Sequence, residues 1–192
     1  VVTIKVFDSE LDKHFLVELA MQQLTDDTWQ ITKINNLKTL INERDQALQN
    51  KLAELNAPVQ KQIDDAVAVA PQKIFITSAP YSGVIRLLEA DIQLTNNAMK
   101  ELRYFTGVLE LYNADNELFY SGNFASSKDL AAKQTAVYKF NWELNPFLTD
   151  DAKVMNSDFS KVTWKASLSS LSFADGSTIE LLTQLPVKAA TK

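Results

Sequence analysis

The sequence predicts an α+β chain. A small antiparallel strand meander and a long kinked helix fill residues 1–72, and an antiparallel β-sandwich of about seven strands fills 73–184. Three observations lead there. Apolar residues alternate with period two before the helix, recur by threes and fours from Leu37 to Val67 except for one seven-residue step, and alternate again after Pro71. All four glycines and 15 of the 18 aromatic residues lie after position 72. The first 72 residues carry 7 basic and 11 acidic side chains, against 12 and 13 in the remainder, so the net charge of -5 resides mostly in the first part.

The meander begins with Val2, Ile4 and Val6 on one face, continues with Phe15, Val17, Leu19 and Met21, and ends with Trp29 and Ile31. Thr25, Asp26, Asp27 and Thr28 supply turn chemistry between the second and third strands. Three strands with one apolar face are marginal alone, so that face needs a cover. The following stripe of Leu37, Leu40, Ile41, Leu48, Leu52, Leu55, Val59, Ile63 and Val67 supplies one. Asn36 is the expected N-cap and Pro71 the expected stop. A straight helix over 37–70 would span about 50 Å at 1.5 Å per residue, so Pro58 is expected to kink it or to begin a second helix. The opposite, amide-rich face of that helix leaves open a coiled-coil or partner-binding role, which Pro58 interrupts.

After Pro71 the strands follow in order. Residues 73–77 form a short one, and Leu88, Ala90, Ile92 and Leu94 alternate with polar neighbours until Asn96 and Asn97. Tyr104 to Tyr112 turns at Asp115 and Asn116 into Leu118 to Phe124, in a register that sets Leu111 against Tyr120 and Asn113 against Leu118. Val137 to Leu144 carries Tyr138, Phe140, Trp142 and Leu144 on one face, and Asn145–Pro146 ends it. A helical turn capped by Thr149 is expected in the next connection. Val162, Trp164, Ala166 and Leu168 share one parity while Leu171 and Phe173 take the other, which predicts a β-bulge near Ser169 and Ser170. A three-residue Ala174-Asp175-Gly176 loop with Gly176 left-handed pairs Leu171 with Ile179 and Ser169 with Leu181. Residues 185–192 lack periodicity and are expected to fray.

The stretch EADIQLTNNAMKELRYFTGVLELYNADNELFYSG, with SLSFADGSTIEL later, resembles the immunoglobulin-like accessory domains of bacterial exported proteins and lipoproteins. The matching positions are Asn96, Asn97, Leu111, Tyr112, Asn113, Phe173, Asp175 and Gly176. The resemblance spans about 100 residues, implies an immunoglobulin-like sandwich, and carries no catalytic residue. Separately, HFLVELAMQQLTDDTWQITKINNL is similar to the last hairpin of small α+β envelope domains, which would make 1–72 the end of a longer domain.

Several chemistries lack their parts. Without cysteine there is no disulfide framework, thiolate zinc site or thiol nucleophile. The one histidine, His14, has no partner for a triad or a metal site, and no glycine-rich phosphate loop exists. The pairs Asp26/Asp27, Asp64/Asp65 and Asp150/Asp151 read as turn and cap residues, with a carboxylate hydrolase as a remote alternative. Asn113, Asp115 and Glu117 begin like a calcium loop, but Leu118 and Phe124 stand where glycine and the closing glutamate belong, so a hairpin turn is expected. Scattered Lys and Arg, 19 against 24 acids, disfavour nucleic acid, and Tyr104, Phe105, Tyr120 and Phe124 read as core rather than as a stacking platform.

The expectation is therefore a non-enzymatic module with no catalytic, metal or cofactor residues, exported to the periplasm or cell envelope and scaffolding or binding another envelope protein. The alternative is a small-ligand binder using a cleft between helix and sandwich. The chain starts at Val1 within an alternating pattern, so a signal sequence, lipidated cysteine or membrane anchor is expected upstream.

Overall fold

A computed structural model describes residues 1–186. β1 (Val2–Asp8), β2 (Lys13–Gln23) and β3 (Trp29–Ile34) form an antiparallel sheet in that order. Val2, Ile4 and Val6 sit opposite Leu19, Val17 and Phe15, so the apolar residues share one face as their alternation requires. Between β2 and β3 the register slips at Ala20/Met21, which sets Ile34 against Leu19 and Ile31 against Met21. The bulge therefore keeps both isoleucines of β3 on the apolar face although their sequence spacing is odd.

Helix α1 (Leu37–Ala66) runs without a break through Pro58, so no second helix begins there. It stops before Pro71, at Ala66, because Val67 to Ala70 pair with Asn96 to Gln93 as the start of β4 (Val67–Ser78). Pro71 instead sits inside β4, beside a register shift to Lys73, on the edge of its sheet. An edge strand tolerates a residue without an N–H there. Asn36 precedes the helix, but its side chain does not cap it. Its Oδ1 accepts the Glu18 N–H at 3.0 Å and its Nδ2 donates to the Leu16 carbonyl at 2.8 Å, tying the start of α1 to β2.

The chain divides into two compact units at Ala57/Pro58 rather than at the expected 72/73. The last turns of α1 belong to the second unit because Ile63 is buried in its core, with Val59 and Ala66 packed against that core. The first unit holds 1–57 and, of the described residues, takes back 182–186. Leu185, expected to fray, is buried with Leu11, Phe15 and Leu52, and Leu40, Ala47, Leu48 and Leu55 pack around them. Asn56 fastens this return, since its Nδ2 donates to the Leu182 carbonyl at 2.9 Å and its Oδ1 accepts the Leu182 N–H at 2.8 Å. Of the tail, 187–192 lie outside the described residues.

The second unit, Pro58–Leu181, adds β5 (Arg86–Asn96), β6 (Leu102–Tyr112), β7 (Leu118–Ser126), β8 (Thr135–Leu144), α2 (Thr149–Met155), β9 (Thr163–Phe173) and β10 (Thr178–Glu180). One sheet has the order β4-β5-β8 and the other β10-β9-β6-β7. Every pairing is antiparallel. Both sheets feed one core, in which Leu88, Ile92 and Leu94 of β5 meet Leu102, Phe105, Leu109 and Leu111 of β6 and Leu168 and Leu171 of β9. Each such buried side chain contributes about 1.5–3 kcal/mol. Phe105 packs edge-on against Tyr138 with centroids 5.0 Å apart, and Phe140 lies 4.6 Å from Phe124.

The local geometry follows the expected turn chemistry closely at one hairpin. Leu171 faces Ile179, Leu181 donates to the Ser169 carbonyl at 3.0 Å, and Gly176 takes φ 83°. The bulge falls at Ser169, between the pairs Thr106–Ser170 and Gly107–Leu168. Two expected details differ. Leu118 pairs with Tyr112 rather than Asn113, because Asn113 and Glu117 close a three-residue loop with Asn116 at φ 60°. Leu148, not Thr149, is the N-cap of α2 and gives no side-chain bond, and Thr149 is the first helical residue.

Candidate functional site

The first unit leaves its apolar face half open. Phe15, Val17 and Leu19, central on β2, are buried, whereas the flanking positions on the same face are not. Ile4 is 41% exposed on β1, and Ile31 and Trp29 are 56% and 60% exposed on β3. Leu37 and Ile41 of α1 add two more exposed apolar groups. The helical stripe predicted to cover the sheet packs with it at Phe15, through a cluster that holds Leu52 and Leu40. Exposed apolar groups on both edge strands of one face, flanking a buried central set, are a mark of a docking surface.

A cavity of about 450 Å³ lies beside the covered end, lined by Val6, Phe15, Val17 and Leu40 and rimmed by Asp8, Glu10 and Arg44. The Arg44 guanidinium donates to Asp8 Oδ2 at 2.8 Å and to Glu10 Oε2 at 2.9 Å. Asp8 Oδ1 accepts the N–H groups of Leu11 and Glu10 at 3.1 and 3.0 Å. The Leu11 N–H bond, with Arg44, holds the Asp8 carboxyl below the usual carboxylate range. No sequence signal marks this cluster, since Arg44 stands 36 residues from Asp8.

The side chains with catalytic or ligating potential are engaged otherwise. His14 lies on β2 with its ring 4.9 Å from Phe7, on the face opposite the apolar row. Asp26 accepts from Thr28 Oγ1 at 2.6 Å, and Asp27 accepts from Gln23 at 3.0 Å, both in the β2–β3 turn. Asp64 accepts from Gln60 and Asp65 pairs with Lys61 along α1. Asp150 pairs with Lys153, while Asp151 Oδ2 accepts the Asn145 N–H at 2.9 Å. In the calcium-like stretch, Asn113 Oδ1 is taken by the N–H groups of Asp115 and Glu117, at 3.0 and 2.8 Å, and its amide donates to Glu117. No group of three or more His, Cys, Asp and Glu with metal-binding proximity occurs among the described residues. Of the four aromatics that could form a stacking platform, Phe105 and Phe124 are core, Tyr120 is half-buried and Tyr104 is 41% exposed.

Asn96, which the sequence marks only as a strand-ending turn residue, is a buried polar residue of the second unit. Its amide donates to the carbonyls of Lys100, Leu130 and Ala131 at 2.8, 2.9 and 3.2 Å, and its Oδ1 accepts the Ala98 N–H at 3.0 Å. It locks the β5–β6 turn to the connection between β7 and β8.

Fold and surface together define an α+β protein of antiparallel sheets with one 30-residue helix and an apolar face left open on its meander. No protein-family model matches the chain, and no curated protein matches it. Among solved structures it is similar to a target of the Northeast Structural Genomics Consortium, SoR45, at 12% identity and a TM-score of 0.38, covering 60% of this chain and 80% of that one. It is also similar to a candidate ApaA protein from Bordetella pertussis, at 11% identity and a TM-score of 0.33, covering 60% and 86%. Among the described residues no helix is long and apolar enough to cross a membrane.

Proposed function

We propose that the chain is a non-enzymatic interaction module of the cell envelope, exported to the periplasm or its surroundings, whose meander face receives another envelope protein. The observation that carries this is the exposure of Ile4, Ile31 and Trp29 on the edge strands of a sheet face whose central strand buries Phe15, Val17 and Leu19. Water-exposed apolar groups in such an array gain most from a protein partner. The engagement of the aspartate pairs in turns, helix pairs and a loop bond supports a role without acid–base chemistry.

The second unit is, on this proposal, an immunoglobulin-like sandwich serving as scaffold. Its first, second and fifth strands share one sheet, and its third, fourth, sixth and seventh share the other. The constant-type immunoglobulin arrangement differs only in the sheet that holds the fourth strand. The resemblance of 89–122 and 170–181 to accessory domains of exported proteins supports the envelope placement, and the absence of cysteine is compatible with it.

A photoreactive residue at Ile31, introduced in the native cell, tests this. Adducts to one envelope protein are expected from Ile31 and not from Gln22 on the reverse face of the sheet. Equal adducts from both positions, or a chain recovered wholly from the cytosolic fraction, would refute the proposal.

A further inference from the structure

Strand β1 lies at the end of its sheet, and its outer edge has no strand beside it among the described residues. Its pairing with β2 runs unbroken from Val2 to Asp8, with no bulge and no proline. The other long edges are blunted. β3 carries the slip opposite Ala20/Met21, and β4 carries Pro71 with its shift. β7 carries an irregularity between Leu118 and Tyr120 and gives its Asn123 carbonyl to the Trp142 indole N–H of β8, whose Tyr138 hydroxyl donates to the Lys128 carbonyl. A regular, unprotected edge is a template for another strand.

The sequence of this strand indicates which one. Residues 1–7 read Val-Val-Thr-Ile-Lys-Val-Phe, whose pattern of apolar and polar residues is the same in both directions about Ile4. If β1 of a second copy lies antiparallel with Ile4 on the twofold axis, Val1 meets Phe7, Val2 meets Val6, Ile4 meets Ile4, and Thr3 meets Lys5. Every apolar residue then has an apolar partner, and Lys5, the charged side chain of 1–7, faces a hydroxyl. A shift of two residues in one direction sets Lys5 against Lys5 and Val2 against Asp8, and like charges directly opposite are unfavourable. A shift of two in the other direction sets Val1 against Lys5, an apolar side chain against an ammonium group. Val1 and Phe7, 87% and 51% exposed on the reverse face, are brought together only in the central register, so both faces of the strand gain.

We infer that two copies of this chain associate through β1, forming a continuous six-stranded sheet about a twofold axis at Ile4. The interface is isologous, so one surface serves both partners and the assembly closes at two. Backbone hydrogen bonds supply the attraction and the matched side chains fix the register. The apolar row then runs across both copies as one surface, although the pairing does not depend on the envelope partner proposed above.

Light scattering of the purified 192-residue chain should give twice the chain mass of 21.5 kDa. Ile4→Lys, which opposes two ammonium groups on the axis, should return the single-chain mass while circular dichroism shows the strands retained. The chain has no cysteine, so single-cysteine variants report register directly. Ile4→Cys should cross-link to a dimer on mild oxidation with diamide, since directly opposed Cβ atoms lie about 4.5–5.5 Å apart. Ile31→Cys, exposed on the other edge strand, should not. A single-chain mass at the highest soluble concentration, or cross-linking at Ile31 equal to that at Ile4, would overturn the inference. A monomer that still gives Ile31 adducts in cells would leave the envelope partner standing, and a dimer without them would remove only that partner.

Discussion

Replacing Asn96 tests whether one buried amide holds the second unit's connections in place. In Asn96→Ala the carbonyls of Leu130 and Ala131 keep backbone donors, from Leu102 and Gln134 at 3.0 and 3.2 Å. The Ala98 N–H and the Lys100 carbonyl lose their Asn96 partner. A fully buried polar group left unsatisfied costs about 1–3 kcal/mol, and these two are part-buried, so together they cost about 2 kcal/mol. For a unit of this size, 1 kcal/mol moves the melting temperature by about 4 °C, giving a fall of about 8 °C. Asn96→Asp should be worse at neutral pH, because a carboxylate would face three carbonyl oxygens where the amide now donates. Burial raises the pKa of such a group above its unfolded value. Its native contribution is then fullest below the unfolded pKa and lost as pH rises through the folded one, so acidification toward about pH 4 should partly rescue this variant. Near-ultraviolet circular dichroism, which sees Trp142 and Trp164, would follow the melt. A shift in Asn96→Ala below about 3 °C, or an Asn96→Asp variant that weakens further on mild acidification, would refute the reasoning.

Two other outcomes are expected. A Cβ added at Gly107 would stand 2.3 Å from the Phe124 ring and 2.4 Å from the Ser167 carbonyl oxygen. Since backbone cannot withdraw as a flexible side chain can, Gly107→Ala should cost about 1–3 kcal/mol or more, whereas Gly83→Ala, with open space around it, should leave the denaturation midpoint unchanged. Asp8 is held below its ordinary pKa by the Leu11 N–H and Arg44, and Asp175 by Lys100 and Ser177. Their stabilisation is complete above the unfolded carboxylate pKa of about 3.9 and lost as pH falls from there through the folded values, so the melting temperature should drop over that acid range and drop less in Arg44→Ala. A melting temperature that rose on acidification from that point would contradict this.

The parts of the fold legible in the sequence are those set by neighbours along the chain. The Ala174-Asp175-Gly176 loop was readable because only one loop length matched Leu171 to Ile179, and the Ser169 bulge because parity changed inside a single strand. Pro71 misled for a physical reason: proline ends helices generally, but here the helix had already yielded to the pairing of Val67 and Val69 with β5. The open meander face was half legible. Alternation identified its residues, but how much of it α1 covers depends on tertiary packing around Leu52 and Leu185. The turn half of the Asn96 lock, to Ala98 and Lys100, was legible as a strand-ending asparagine, but its bonds to Leu130 and Ala131 and the Arg44 clamp were not, since those partners lie 34 to 36 residues away. Polar residues at such separations carry no periodicity to read.

The return of Leu182 and Leu185 to the first unit has a consequence for the order of biosynthesis. A ribosome releases residues 1–57 first, yet the packing partner of Leu11, Phe15 and Leu52 emerges after everything in Pro58–Leu181. At about 5–20 residues per second, the meander waits many seconds for its last buried side chain, while the later unit already has its complete sequence. The unit made first should therefore mature last, and a transcript cut short just after Leu181 would yield a sound second unit attached to an unfinished first one.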